Sequence, residues 1–409
     1  MGIPKNILTL YQDGVELKTT LTSVHKGKIK IAALDQATLI TPFQHPQDDT
    51  DETSSDFSTL ETAENAFGID DRPAFLHDEP PDDKEEVQEA DQGFGSMDQS
   101  SEEDQFEEEE TNEDILLSLM SRVPAKHYAH AINLPRSLVH TLHLRGNFTE
   151  LKPRKRKKQI FNEIIDRQGD AELPKDHYDC LFTESGETYA FVYKGDIPII
   201  QAFDDIQPHL KVKPRFVSVC TDEVALINLL RFNYDDIGED EIIALVNIED
   251  VQSSFIITKG TNVIHFSQSI REDLRSPSLL NAISGKLLYD QDLGHYQDIT
   301  RIILTGEARQ IDAKAFFEQD DVSVRVEYLS LNPDKFIIPE DSSESYTDYA
   351  IPLGLAVQVL FPKKKDTLLI NLLPDYVLRR QKTFKLAWHG LLLLLLIFLV
   401  PFAINWLYV

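Results

Sequence analysis

Hydrophobic and polar residues alternate over residues 5–43, in the stretch NILTLYQDGVELKTTLTSVHKGKIKIAAL. An alternation of period two indicates strands that bury one face. Two turn signals, Asp13-Gly14 and Lys26-Gly27, divide the stretch. We therefore predict a short meander of about three strands.

A second patterned stretch, residues 115–360, mixes strand-like and helix-like segments, which is typical of an α/β or α+β domain. The predicted strands occupy 127–134, 179–184, 188–194, 215–220, 242–249, 252–260, 262–270 and 299–306. The predicted helices occupy 153–167, 222–232, 274–289 and 347–360. We expect Asp222 to cap the second helix and Ser276 with Pro277 to begin the third. The meander 242–270 repeats the pattern of the first meander, which indicates a duplicated half.

Charge is unevenly distributed along the 409 residues. The formal net charge is -29, but the window Asp48–Asp114 alone holds 27 acidic and two basic residues, a net charge of -25. Such a segment repels itself and cannot bury enough apolar area to offset the entropy of ordering. We predict that residues 47–114 form an acidic disordered insert.

The remaining composition excludes several classes of function. The basic run KPRKRKK at 152–158 has no aromatic residues interleaved for base stacking, so we expect no nucleic-acid partner. That run could instead bind phosphate, lipid head groups or the acidic insert, or be the solvated first turn of a helix. Cys180 and Cys220 lie far apart with no second ligand at zinc spacing, which excludes a thiolate zinc site and a disulfide-built fold.

The last part of the chain, Leu386–Val409, is a stretch of 24 residues without a charged side chain. As a helix it would extend about 36 Å, enough to cross a hydrocarbon core. The alternative is a buried helix of a globular core. Under the positive-inside rule, the basic flank places residues 1–385 in the cytoplasm. That flank consists of Arg379, Arg380, Lys382 and Lys385.

Four further stretches carry a family resemblance: ILTLYQDGVELKTTLTSVHKGKIKI, IIALVNIEDVQSSFIITKGTNVIHFSQSI, RIILTGEARQIDAKAFFE and YAIPLGLAVQVL. Their order and spacing resemble the actin-like type IV pilus assembly ATPase PilM and its type II secretion relatives. The following LLINLLPDYVLRRQKTFKLAWHGLLLLLLIF resembles the N-terminus of PilN.

The resemblance implies an α/β, two-lobed actin/hexokinase-like ATPase fold in a degenerate form. Residues 1–46 would be its first strands and 115–360 its main part. Residues 361–385 would be a PilN-like juxtamembrane peptide, and 386–409 one C-terminal transmembrane helix in a bacterial inner membrane.

The resemblance also implies where a nucleotide would bind: Asp13, Gly14, Asn247, Asp250 and Gly306. The motifs are altered, however. Tyr11 stands where the family has a metal-binding aspartate. Asp13, Glu16 and Glu249 would repel a triphosphate. We therefore expect no ATP hydrolysis, no cofactor and no metal, with ATP and Mg²⁺ binding as the alternative. We expect these carboxylates to be exposed turn acids rather than metal ligands.

In the PilN family the peptide lies in a groove of its actin-like partner, so the resemblance implies partner docking by Ile370, Asn371, Leu372, Leu373 and Pro374. This groove would be filled in cis or by a neighbouring copy. The alternatives are a last strand that ends in a proline turn, and a flexible linker.

The function expected from the resemblance is a cytoplasmic scaffold and inner-membrane anchor of a type IV pilus or type II secretion-like platform, with the platform proteins as partners. One alternative is a nucleotide-binding ATPase of the same platform. Another is an unrelated tail-anchored adaptor that recruits partners through the acidic insert.

Overall fold

The computed structural model describes residues 4–43, 110–124, 128–146, 148–169, 173–184, 186–320, 324–339, 346–362 and 367–381, with parts of 390–401. All its named elements belong to one unit of the chain. The strands are β1 (Asn6–Asp13), β2 (Glu16–His25), β3 (Lys28–Thr38), β4 (Ala129–Asn133), β5 (Val139–Leu144), β6 (Tyr178–Phe182), β7 (Thr188–Tyr193), β8 (Phe216–Cys220), β9 (Ile242–Ile248), β10 (Ser254–Lys259), β11 (Asn262–Phe266), β12 (Arg301–Gly306), β13 (Arg325–Tyr328) and β14 (Phe336–Ile337). The helices are α1 (Asn112–Arg122), α2 (Pro153–Gln168), α3 (Pro198–Ile206), α4 (Asp222–Asn233), α5 (Leu279–Asp292), α6 (Ala313–Asp320), α7 (Ala350–Leu360) and α8 (Asp375–Gln381).

Two sheets repeat one arrangement. Their strand orders are β14-β3-β2-β1-β4-β8 and β11-β10-β9-β12-β13. In each sheet an antiparallel three-stranded meander is joined by two strands parallel to its first strand, β4 and β8 in one and β12 and β13 in the other. The α/β class and the predicted duplicated half are therefore confirmed. Between β4 and β8 the chain also forms a separate antiparallel sheet, β5-β7-β6.

The predicted elements are present, with shifted boundaries. Each predicted strand of residues 115–360 corresponds to an observed strand, but sequence patterns missed β5, β13 and β14. The helix predicted over 274–289 begins only at Leu279, after Ser278 at the N-cap. Asp222 is not a cap: Thr221 holds that position, and the Asp222 carboxylate accepts a hydrogen bond from Asn133 Nδ2 at 3.0 Å. A buried partner on β4 thus competes with the capping role.

The last residues of the predicted insert are helical. Helix α1 begins at Asn112, because Thr111 and Asp114 form a capping box in which each side chain accepts from the other residue's backbone N–H. Residues 111–114, which the prediction assigned to the insert, therefore belong to a capped helix. The rest of the predicted insert, residues 47–109, lies outside the described residues.

Of the predicted membrane span 386–409, the structure describes only residues 390, 392–397 and 399–401, which are helical and exposed. Within the described part of the chain, no helix is both long enough and apolar enough to cross a membrane. The remaining residues of the predicted span lie outside the description.

Helix α7 lies at the centre of the main core. All of its residues are buried, and it packs against α4 and against strands β1, β2 and β4. Gly354 permits the closest approach of the two helices: a Cβ at this position would lie 2.0 Å from the carbonyl oxygen of Ala225 on α4. Backbone atoms cannot move aside as a flexible side chain can, so the α4–α7 distance depends on this glycine.

We predict that Gly354→Ala lowers the free energy of unfolding by about 3 kcal/mol, since the added methyl group overpacks the core. The matched control is Gly285→Ala on α5, where a Cβ would have no neighbour within 4 Å. This control should be neutral or stabilise by about 0.5–1 kcal/mol through helix propensity. Thermal unfolding followed by circular dichroism measures both, and equal effects would contradict the close α4–α7 contact.

Candidate functional site

A buried lysine lies where the three altered motifs meet. Lys18, on β2, is 1% exposed. Its Nζ lies 2.8 Å from Glu307 Oε1, 3.2 Å from Glu16 Oε2 and 3.6 Å from Glu249 Oε2. Glu249 follows β9 and Glu307 follows β12, so one ammonium group links the first hairpin of one half to two motifs of the other half.

The expectation of exposed turn acids is wrong for two of its three carboxylates, since Asp13 and Glu249 are only 8% and 3% exposed. Glu307, which also contacts Lys18, is 4% exposed. They are buried because Lys18 supplies a charge partner inside the protein, which the sequence analysis missed. A signal was present: three motifs rich in carboxylates require a cation if they converge.

The turn after β1 contacts the turn after β9 directly. Asp13 Oδ2 accepts a hydrogen bond from the Val251 N–H at 3.3 Å. Gly14 has a φ of +52°, and a Cβ there would lie 2.5 Å from Val251 Cγ2. A glycine is required both by this backbone conformation and by the close approach.

The third motif lies against the second. Thr305 Oγ1 donates to Asn247 Oδ1 at 2.9 Å, and the two residues are paired across β12 and β9. A Cβ on Gly306 would lie 2.2 Å from the Ile248 carbonyl oxygen. The structure therefore brings Asp13, Gly14, Asn247 and Gly306 together, as the resemblance implies.

Asp250, the fifth candidate nucleotide residue, lies at the edge of this group. It is half-buried, and its charge acts on Asp13 by raising the pKa of that carboxyl group.

Burial sets the charge states in this cluster. It raises the pKa of Asp13 to about 6, although the Val251 N–H and Lys18 act in the opposite direction. Burial likewise raises the pKa values of Glu249 and Glu307, partly offset by Lys18. For Lys18 itself, burial alone would lower the pKa, but Glu249 and Glu307 outweigh burial and raise it, so the amine stays charged.

The cluster holds an excess of carboxylates over cations. Its one ammonium group is already engaged by acidic side chains, so it presents no free positive charge to a phosphate. Among the described residues, no group of His, Cys, Asp and Glu is arranged to hold a metal ion. The ion pairs of Lys18 are suited to joining the first hairpin to the residues that follow β9 and β12.

A second candidate site lies along β8, the edge strand of the first sheet. The Asn371 side chain pairs with the β8 backbone: its Oδ1 accepts from Val219 N at 3.0 Å and its Nδ2 donates to Val217 O at 3.1 Å. The Leu372 N–H donates to Val219 O at 2.8 Å. The segment thus supplies hydrogen-bond partners to an edge strand, as an added strand would.

Apolar side chains of this segment fill the adjacent groove. Ile370, Leu372 and Leu373 are 3%, 0% and 5% exposed and belong to the main hydrophobic core. Pro374 is also buried and directly precedes α8. The structure therefore places the predicted docking residues in a groove of their own chain.

Polar side chains of the core hold the segment from the other side. Asn228 on α4 donates from Nδ2 to Leu368 O at 3.0 Å and accepts at Oδ1 from Leu368 N at 2.7 Å. Gln358 on α7 donates to the Ile370 carbonyl oxygen, and Asp179 on β6 accepts from Asn371 N at 2.9 Å. Sequence reasoning missed these three residues. For Asn228 and Gln358 a signal was present, since each is the one polar side chain of an otherwise apolar helical stretch, LINLL at 226–230 and AVQVL at 356–360.

No family model matches the sequence, and no curated protein matches it significantly. The chain is similar to several solved structures, including the following three. The PilM-PilN type IV pilus biogenesis complex is 13% identical, over 87% of this chain and 99% of that one, with a TM-score of 0.49. A Bacteroides thetaiotaomicron protein of actin-like ATPase fold and unknown function is 7% identical, over 80% and 91%, with a TM-score of 0.40. The AlfA filament from a B. subtilis plasmid is 10% identical, over 86% and 98%, with a TM-score of 0.34.

We predict that Lys18→Met lowers the free energy of unfolding by about 3–5 kcal/mol, because it leaves buried carboxylates without their counter-charge. Lys28→Met is the control: Lys28 is 37% exposed and its Nζ lies 3.8 Å from Asp334. Loss of such a surface pair should cost less than about 1 kcal/mol. Chemical denaturation at neutral pH measures both variants, and a loss at Lys18 no larger than at Lys28 would contradict the bridging role.

A pH dependence follows from Asp13. The pKa of the Asp13 carboxyl group is raised from 3.8, its ordinary value, to about 6 in the folded protein. The folded state therefore binds this proton more tightly than the unfolded state. The resulting stabilisation is fully present below the unfolded pKa of 3.8 and is lost as pH rises through about 6. Asp13→Asn removes this loss, so we expect the variant to gain up to about 3 kcal/mol over the wild type between about pH 4 and pH 7. Thermal unfolding across this range tests the prediction. A constant difference between the two proteins would contradict it.

Proposed function

We propose that this protein is a non-hydrolysing actin-like scaffold that holds a membrane anchor against the edge of its own folded domain, on the cytoplasmic face of a bacterial inner membrane. The observation that carries the proposal is the position of residues 367–381 along β8. The segment is bonded by Asn371 to the strand backbone and by Asn228 and Gln358 to the core.

The position of α8 supports the anchoring role. The helix follows the docked segment directly, and its Asp375 N–H donates to Asp176 Oδ2 at 3.0 Å. Only four residues separate the end of α8 at Gln381 from the uncharged stretch that begins at Leu386. So short a connection leaves little freedom, and a membrane span entered here would hold the folded domain close to the bilayer.

Two features of the first site support the absence of hydrolysis. The turns at Gly14 and Val251 are in contact where the resemblance implies that phosphates would lie between them. The surrounding charge is also unfavourable, since buried carboxylates there would repel a triphosphate. Lys18 joins the two halves by ion pairs, and in this proposal it takes over the linking role that a nucleotide would have.

The finer part of the proposal concerns partners. The resemblance of Ile370–Pro374 to the PilN peptide supports a place in a type IV pilus or type II secretion-like platform, with the other inner-membrane platform proteins as neighbours. Cross-linking in native membranes followed by mass spectrometry tests this part. Recovery of pilin-like or secretin-associated proteins is the expected result, and cross-links confined to unrelated proteins would favour the tail-anchored adaptor.

We predict that replacing Ile370, Leu372 and Leu373 by Asp frees the segment from β8. Burial of each side chain stabilises docking by roughly 1.5–3 kcal/mol, and a carboxylate cannot occupy the same apolar groove. Hydrogen exchange of the backbone amides at 370–373 should be slow in the wild type and fast in the triple variant, while β9 and β12 stay protected.

The matched control for the docking prediction is Leu369→Asp. This neighbouring leucine is 57% exposed, so its replacement should leave the exchange of 370–373 unchanged. Fast exchange of these amides in the wild type would show a flexible linker and would remove the main support for the proposed function.

We also predict that the full chain, in detergent, binds ATP with Mg²⁺ no more tightly than in the millimolar range and does not hydrolyse it. Isothermal titration calorimetry and phosphate release measure the two properties. Micromolar binding with turnover would contradict the prediction and favour the nucleotide-binding ATPase. The same measurements on Lys18→Met test whether the ion pairs of Lys18 exclude the nucleotide.

A further inference from the structure

The first two turns of α2 carry an exposed basic surface. Its members are Lys152, Arg154, Lys155, Lys157 and Lys158, which we call the α2 basic face. All five side chains are exposed, and none has a carboxylate within ion-pair distance among the residues that the structure describes. This surface is therefore available to an anionic partner.

The basic face does not serve the helix that carries it. The first turn of α2 contains no acidic residue and the N-cap makes no side-chain hydrogen bond, and cations at a helix N-terminus are unfavourable to the helix dipole. Arg156 is different: its Nη2 donates to Thr149 O at 2.7 Å and its guanidinium lies over the Phe182 ring. One basic residue is thus structural, while the five others remain in solvent.

The basic face lies beside the segment that leads to the C-terminal apolar stretch. The Tyr178 hydroxyl donates to Lys157 O at 3.4 Å, and the Tyr178 and Phe161 ring centroids are 6.0 Å apart. Two residues before Tyr178, Asp176 accepts the N–H of Asp375, the first residue of α8. Residues 176–178 therefore contact both α2 and α8.

We propose that the α2 basic face binds the phosphate groups of anionic lipids in the membrane that residues 386–409 enter. The inference rests on the proposed function, because the anchor brings this surface near the bilayer. Two basic elements, the α2 basic face and Arg379 with Arg380 on α8, then lie against the same lipid surface. Lysine and arginine side chains near anionic head groups are attracted within a Debye length, and contacts tethered by one anchor reinforce each other.

Lysine labelling in nanodiscs tests the inference on the full chain. The protein is reconstituted into discs of phosphatidylcholine alone or with about one quarter phosphatidylglycerol, and acetylation rates are measured by mass spectrometry. We expect Lys155 and Lys158 to react about tenfold more slowly in the anionic discs, and this protection to disappear at about 0.5 M salt. Lys30, exposed on β3, is the internal control and should react equally in both.

A charge-reversal pair provides the second arm. Lys155→Glu with Lys158→Glu should abolish the lipid-dependent protection of Lys157. Lys5→Glu with Lys30→Glu makes the same change of charge near β1 and on β3, away from the β8 edge of the sheet, and should leave that protection unchanged. Equal loss in both variants would show a non-specific charge effect and overturn the inference.

The remaining outcomes separate the inference from the proposed function. Equal labelling of Lys155 and Lys158 in both discs overturns the lipid contact and leaves the anchor standing. Protection of Lys155 and Lys158 that is equal in discs and in detergent and is lost at high salt also overturns the lipid contact. That result identifies the acidic segment 47–109 as the partner of the α2 basic face. A protein that enters neither disc contradicts the anchor. In that case, flotation of the protein with anionic but not neutral vesicles would retain the lipid contact.

Discussion

The ion pairs of Lys18 are the interaction on which the arrangement of the two halves depends. A buried ammonium group contacts Glu16 of its own hairpin, Glu249 after β9 and Glu307 after β12. The net contribution of such a cluster to stability is small, because the cost of desolvating the charges offsets much of their attraction. Removal of one charged partner, however, leaves the other buried charges uncompensated. The cluster therefore specifies how the hairpins meet more than it adds to the total free energy of unfolding.

That arrangement has consequences for the rest of the first site. Because Lys18 offsets part of the charge of the converging carboxylates, the turns can approach until Asp13 bonds Val251 and Gly14 contacts the Val251 side chain. The turns of the two halves therefore contact one another directly, and the ion pairs of Lys18 link the same two halves.

The edge of the first sheet is the other place where distant parts of the chain meet. An exposed edge strand invites unwanted pairing, and residues 367–381 cover β8 with two side-chain amides. Asn371 pairs with Val217 and Val219. At the other end of the strand, with its amide oriented to satisfy both partners, Gln381 donates to Phe216 O at 2.9 Å and accepts from Phe216 N at 3.2 Å. The contacts that protect the edge of β8 are thus the same contacts that hold residues 367–381 in place.

The sequence by itself determined most of the strands and half of the helices that the structure describes. Alternation of period two predicted the two meanders, and their similarity predicted the duplication that the sheet orders show. Short or irregular elements escaped this reasoning: β14 has only two residues, too few to display a period. The start of α5 was also misplaced, because Ser276 and Pro277 carry a start signal that the chain does not use.

Only the tertiary structure decided which charges and amides are buried together. Lys18 and Glu307 are 289 positions apart, and Asn371 and Asp179 are 192 apart. Neither pairing leaves a local pattern in the sequence. A lysine on a strand, or an asparagine after an isoleucine, has the same neighbours in the sequence whether its side chain faces solvent or a buried partner. The free energy of a buried polar group depends on the partner that the fold brings to it, and that partner is set by the packing of distant elements.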